Sequence, residues 1–322
     1  MKLRKTWLAG LSLGAVAASV LMGTLLGRTD VAQGCSNFWV NPESGAQECL
    51  DNLPTPASST QAEVESAVTP RIVGGSRAGA ADNPFQVALV WAPTANTYLG
   101  QFCGGTLYKN KYVITAAHCS YFIPAPAFVQ VVTYRTPIAA VRNLNPLPAG
   151  GVRRNVARID IHPGWRPTGF DYDVAVWTLT APVPGGVSVG SLATVDPTVG
   201  TPLLVSGWGS LGEKGPYPND LRKATVPLFS RTDCNDADSY RGAITDRMLC
   251  AGRETGGVGA CNVYLGDTGG PLARNNILYG IVSFYAPPCG SPELPNVYTR
   301  ISNATTVAGV PGIRPWILSK TP

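Results

Sequence analysis

Only two histidines occur in 322 residues, so any imidazole chemistry must fall to His118 or His162. Charge is scarce as well: 14% of residues are Asp, Glu, Lys or Arg, against 44% apolar. A chain this apolar is not a disordered one, and its length allows a sizeable core. The 25 bases exceed the 20 acids by too little to point to nucleic acid. There is no dinucleotide fingerprint, no P-loop, no internal repeat and no extended amphipathic helix. No Cys-x-x-Cys pair occurs either, so a zinc site is not expected, and neither is any other metal or cofactor. Glycine and proline, by contrast, are plentiful at 36 and 28 residues, which fits short strands joined by many turns. Eight cysteines, an even number, fit an oxidising compartment.

The first residues carry Lys2, Arg4 and Lys5, and Thr6 to Gly27 then runs without a charge. That is the pattern of an export signal, with small residues for cleavage at Ala32-Gln33-Gly34 or earlier at Ala17-Ala18-Ser19. The apolar run is also long enough for an uncleaved anchor, and Cys35 invites a lipidated terminus. All three place the body outside the cytosol: secreted, periplasmic or at the cell surface. The division expected is a signal over 1–34, a pro-segment and linker over 35–71, and a catalytic-type domain over 72–322. The linker is rich in Pro, Ser, Thr and Ala from Pro54 to Pro70. From Thr29 to Arg71 six acids face the single base Arg71, whereas residues 72–322 hold 20 bases and 14 acids.

Beyond Ile72, β-branched and aromatic runs alternate with turn signals. Phe85–Trp91, Tyr112–Thr115, Phe128–Tyr134, Asp173–Leu179, Leu203–Ser206 and Ile277–Phe284 read as strands, and Arg314–Ser319 as a short helix. The result is an all-β domain large enough for two packed barrels.

Four short sequences then carry the chemistry. They are Arg71-Ile72-Val73-Gly74-Gly75, Thr115-Ala116-Ala117-His118-Cys119, Asp171-Tyr172-Asp173-Val174-Ala175-Val176 and Gly266-Asp267-Thr268-Gly269-Gly270-Pro271. In this order and at these separations they resemble the trypsin/chymotrypsin family of serine proteases. The resemblance covers Ile72 to Trp316 and implies two six-stranded antiparallel β-barrels with a cleft between them. Acyl transfer needs a nucleophile, a base within reach and a group that fixes the base's tautomer. His118 is then the base, Asp173 the carboxylate that orients it, and Thr268 the nucleophile. The oxyanion donors implied are the backbone N–H groups of Gly266 and Thr268. His162 is read as plain surface at the start of a loop. The resemblance also implies disulfides Cys103–Cys119, Cys234–Cys250 and Cys261–Cys289, leaving Cys35 and Cys49 most simply paired with each other. Arg71-Ile72 resembles a zymogen activation site. Another protease would cut after Arg71, and the freed α-ammonium of Ile72 would pair with Asp267. A protein or peptide is the expected substrate or partner, and a monomer the expected state.

The chain also departs from the family. Thr268 stands where the family has serine, and its extra methyl restricts χ1. The pocket base is Gly259, with no carboxylate for an Arg or Lys side chain. Its walls fall at Ser283-Phe284-Tyr285 and around Asn296, where Tyr285 and Asn296 replace glycines of trypsin itself and narrow the pocket. Asn262 to Leu265 insert three residues beside the oxyanion turn. No acid lies between Tyr121 and Ile159, so the family's calcium loop lacks ligands, while Arg135, Arg142, Arg153, Arg154 and Arg158 make the stretch basic. A solvated loop is expected there, and Asn303-Ala304-Thr305 is a glycosylation sequon. Two functional classes follow. One is a protease homologue with hydrolysis weakened or lost, down to a non-catalytic binding or regulatory protein. The other is an endopeptidase that uses Thr268 on small side chains.

Overall fold

The computed structural model describes residues 74–79, 81–133, 151–210, 217–253, 255–260, 266–287 and 290–322, together with the backbone of 38–40 and 47–49. Arg71, Ile72, Cys35, Cys261, Cys289 and the Asn262–Leu265 insertion lie outside the described residues, as does the side chain of Cys49. Two compact units are present, Met1–Pro54 and Thr55–Pro322. In the first, β1 (Phe38–Val40) pairs antiparallel with β2 (Gln47–Cys49).

The second unit is built from strands. β4 (Gln86–Trp91), β5 (Gln101–Tyr108), β6 (Tyr112–Thr115), β9 (Ala175–Leu179), β8 (Val152–Ile161) and β7 (Val129–Thr133) close into a six-stranded barrel in that order. β4 shows why its sequence reads as an unbroken apolar run. Side chains alternate across a strand, and here both faces are covered. Val87 and Leu89 join the barrel core with Trp177 and Leu179, whereas Ala88 and Val90 pack with Trp208 and Leu221.

The second sheet runs β13 (Met248–Ala251), β16 (Asn296–Arg300), β15 (Ile277–Phe284), β14 (Pro271–Arg274), β11 (Pro202–Gly207), β12 (Arg222–Pro227) and β3 (Ser76–Arg77), with β10 (Ser191–Leu192) beside β15. A bridge between Leu228 and Ala251 brings the end of β12 back to β13, so its six longer strands also wrap round. Leu203, Val205, Val226, Leu272 and Tyr298 fill the interior. The architecture is the two-barrel, all-β fold expected, with the short C-terminal helix at Ile313–Lys320. That helix buries Ile313, Trp316 and Ile317 against the first barrel.

Cys103–Cys119 ties β5 to the turn after β6, and Cys234–Cys250 anchors a short helix to β13. Closing loops of this size stabilises by roughly 3 kcal/mol each. Asn303 of the sequon is 5% exposed, and its Oδ1 accepts the Ile313 N–H that opens the C-terminal helix. The basic stretch is no loop over 152–161 but strand β8, and its arginines are latched. Arg153 donates to the carbonyls of Trp91, Thr94 and Ala95, Arg154 to that of Pro182, and Arg158 to Asp160. Arg135 and Arg142 lie outside the described residues. No described helix is long and apolar enough to cross a membrane.

Candidate active site

His118 sits in the turn after β6, and Asp173 in the connection from β8 to β9, so one barrel supplies both. The Asp173 carboxylate is 1% exposed and collects three donors. His118 N–H reaches Oδ1 at 2.9 Å, His118 Nδ1 meets Oδ2 at 2.7 Å, and the Ser283 hydroxyl donates to Oδ2 at 2.6 Å. Two contacts to one residue fix the imidazole against rotation, and a proton on Nδ1 leaves Nε2 as the basic nitrogen. From β16, the Thr299 hydroxyl holds the Asp173 carbonyl at 2.6 Å. Phe170 stands edge-on to the imidazole at 5.4 Å, with Trp165 at 6.4 Å.

Thr268 comes from the other barrel, in the turn before β14, and is 5% exposed. Its carbonyl accepts the Gly104 N–H at 2.7 Å, which joins the turn to β5. Two flanking glycines are obligatory. Gly266 has φ 128°, and a Cβ there would stand 2.5 Å from the Gly209 backbone. Gly269 has φ 83°, and a Cβ there would meet Thr115 Oγ1 at 2.2 Å and the Gly104 carbonyl at 2.5 Å. The N–H groups of Gly269 and Gly270 are spent on the carbonyls of Val282 and Asp267. These two bonds fix the turn's direction. The sequence-derived nucleophile, base and orienting carboxylate thus lie on backbone segments that face one another across the two barrels.

Asp267 is fully buried, and its Oδ1 accepts the Gly209 N–H at 2.7 Å. It sits so close to Gly207 that a Cβ there would fall 2.0 Å from Oδ1. Its expected partner, the Ile72 terminus, lies outside the described residues. Nearby Tyr298 is fully buried, and burial, then the Asp267 charge, pushes its phenol above the ordinary range.

At the expected specificity pocket, the Asn296 side chain donates to the Ala260 carbonyl at 2.6 Å and is 3% exposed. A Cβ on Gly259 would come within 2.1 Å of its Oδ1, so the space beyond Gly259 is already occupied. Phe284 is half-buried against Phe170 and Tyr240, ring centroids 5.4 and 5.9 Å away. Burial raises the Tyr240 pKa to about 12, and its hydroxyl donates to the Pro295 carbonyl. Tyr285 follows β15 and is half-buried. Ser283, expected in the wall, also commits its hydroxyl to Asp173. No local sequence signal marks that role, or the roles of Thr299 and Phe170.

His162 corrects the sequence reading most clearly: it is 1% exposed rather than on the surface. Its ring stacks on Tyr172 at 4.7 Å, meets Trp316 edge-on at 4.8 Å, and its Nδ1 accepts the Gly164 N–H. Burial outweighs the Pro311 carbonyl and Asp171, which favour the cation, and lowers its pKa from 6.5 to about 4. The unfolded chain therefore takes up this proton near the ordinary value and the folded chain only near 4. Stability from this group is present above about pH 6.5 and is lost as pH falls towards 4, by roughly 3 kcal/mol in all. His162→Phe keeps an aromatic ring and removes the proton. Urea unfolding will lose less stability in that variant than in the parent between about pH 7 and pH 4.5. Equal losses would contradict this.

A family model described as Trypsin matches residues 72–308. Over 231 residues the chain is 37% identical to a trypsin of Saccharopolyspora erythraea, covering 71% of this chain and 93% of that one. It is 35% identical to prostatic glandular kallikrein-6 of Rattus norvegicus over 250 residues, 73% and 87% of the two chains. It is also 35% identical to a vitellin-degrading protease of Bombyx mori over 237 residues, 72% and 82%. With the two-barrel fold and the His118–Asp173 pair facing the Gly266–Gly270 turn, these likenesses settle the family: the chain belongs to the trypsin-like serine proteases.

Proposed function

We propose that this chain is an exported trypsin-family zymogen, cut after Arg71 by another protease, whose acyl-transfer chemistry runs slowly on Thr268. The observation that carries the reading is the His118–Asp173–Ser283 hydrogen-bond chain, held at 2.6–2.9 Å. A hydroxyl remains at position 268, so a proton can pass from it to His118 Nε2 as the oxygen attacks a carbonyl. Asp173 stabilises the imidazolium formed, and the N–H groups of Gly266 and Thr268 receive the developing oxyanion. The extra methyl of threonine has to be accommodated in this confined site. A misplacement of about 1 Å at the reacting atom lowers rate by roughly a hundredfold. Loss of one triad member in such hydrolases leaves about 10³–10⁴-fold catalysis over water, which sets the floor. Substrates with small side chains suit the pocket that Asn296 fills. That same filling favours a second reading, a binding protein without turnover.

The test is to treat the full chain with a trypsin-like protease, identify the new N-terminus, and measure hydrolysis of an activated ester before and after. The expected terminus is Ile72, with activity rising on cleavage and exceeding that of His118→Ala. Equal rates for the cut chain and cut His118→Ala would hand the function to the binding reading. Equal rates before and after cutting at Arg71 would contradict the zymogen.

A further inference from the structure

The turn that carries Asp173 is strained, and it is held from the opposite barrel. Phe170 and Tyr172 both adopt left-handed backbone angles, φ 53° each, next to Gly169 at 82°. Such angles cost residues with a Cβ about 1–2 kcal/mol apiece and persist only where neighbours over-determine them. At the Asp173 position itself the chain doubles back sharply, with the Val174 N–H donating to the Tyr172 carbonyl at 2.7 Å.

The neighbours that impose this shape are specific. The Asp171 carboxylate accepts the Thr245 hydroxyl at 2.8 Å, Arg247 Nε at 3.0 Å and Arg247 Nη2 at 2.5 Å. Its Oδ1 also accepts the Tyr172 N–H. The Arg247 guanidinium lies 5.1 Å from the centre of the Tyr172 ring, the ring that stacks on His162. Thr245 and Arg247 lead into β13 of the second barrel, while the strained turn joins β8 to β9 of the first. A two-pronged guanidinium–carboxylate bond is directional, so it sets the orientation of Asp171 as well as its position. Both side chains are about one-fifth exposed, where an ion pair adds little to global stability. Its effect falls on geometry two residues away, at Asp173.

We propose that Arg247 is a positioning residue for the His118–Asp173 pair, gripping Asp171 and covering Tyr172 so that the strained turn presents the Asp173 carboxylate to His118. This rests on the reading of His118–Asp173 as the acid–base pair. A lysine supplies the charge without the fork and is expected to replace Arg247 only in part.

The test uses proton NMR of the full chain. A Nδ1–H held 2.7 Å from a buried carboxylate resonates far downfield of the amides. The parent will show this signal, Arg247→Met will lose or broaden it, and Arg247→Lys will keep it weakened. Arg158→Met, which breaks an ion pair with Asp160 elsewhere, will leave it unchanged. In the Thr268→Ser background, Arg247→Met will lower kcat on an activated ester by about tenfold, with KM within about twofold. An unchanged resonance together with an unchanged kcat would overturn the proposal. A parent chain without the resonance would instead remove the acid–base reading beneath it. Should Arg247→Met fail to fold, Thr245→Val and Arg247→Lys each weaken the grip on Asp171, and the same two readouts decide.

Discussion

Thr268→Ser will raise hydrolysis of an activated ester by an order of magnitude or more over the parent chain, about 1.4 kcal/mol or above in barrier. Among the described residues, the partners of the proposed acid–base pair are already in place. His118 is held twice by Asp173, Ser283 and Thr299 hold Asp173, and the glycines of the Gly266–Gly270 turn meet contacts that no Cβ would fit. If Thr268 holds the serine position, as the resemblance implies, its methyl is the added atom, and in a residue only 5% exposed it has little room. An ester with a good leaving group asks little of the specificity pocket, so the gain reports on the hydroxyl alone. Rates are to be measured on the form cut after Arg71, with His118→Ala as background. Ester hydrolysis by Thr268→Ser that stays at that background would mean the oxyanion turn, beside the Asn262–Leu265 insertion, does not function.

Asn296→Gly in the Thr268→Ser background will change which substrates are taken. The Asn296 carboxamide occupies the space facing Gly259, so removing it opens a cavity where a substrate side chain can enter. Burying a leucine- or phenylalanine-sized side chain contributes roughly 1.5–3 kcal/mol, or about 10- to 150-fold in kcat/KM. Substrates with a glycine or alanine before the scissile bond gain nothing from that space and should change little. The substitution also removes the Asn296 hydrogen bond to the Ala260 carbonyl, a stability loss of about 0.5–1.5 kcal/mol. Tyr285→Gly added to it will extend the gain to longer side chains. Equal changes for small and large side chains would show that Asn296 does not set the pocket depth.

The reach of the sequence differed from residue to residue, for physical reasons. His118 and Asp173 are legible because each sits in a short motif whose neighbours form the strands that place it. β4 was legible because its run of apolar residues satisfies a barrel core on one face and Trp208 and Leu221 on the other. The bond of Ser283 to Asp173 is not legible, since nothing near it in sequence reveals that its hydroxyl faces a carboxylate on another barrel. His162 was placed on the surface because a histidine at a loop start looks solvated. Its burial comes from Tyr172 and the distant Trp316. The arginines of β8 read as a solvated loop because charge masked the strand, and their carbonyl partners lie on the β4 side of the barrel and at Pro182. Arg247 belongs to no motif. Its contact with Asp171 exists only once the two barrels are folded together.

In the proposed function, His118 activates the hydroxyl at position 268. Reaction of the chain cut after Arg71 with a fluorophosphonate, followed by mass mapping of the modified peptide, tests it most directly. A slow adduct on Thr268 is expected in the parent, a faster one at position 268 in Thr268→Ser, and none in His118→Ala. A Thr268→Ser chain that stays unlabelled, or a label carried at another residue, would contradict it.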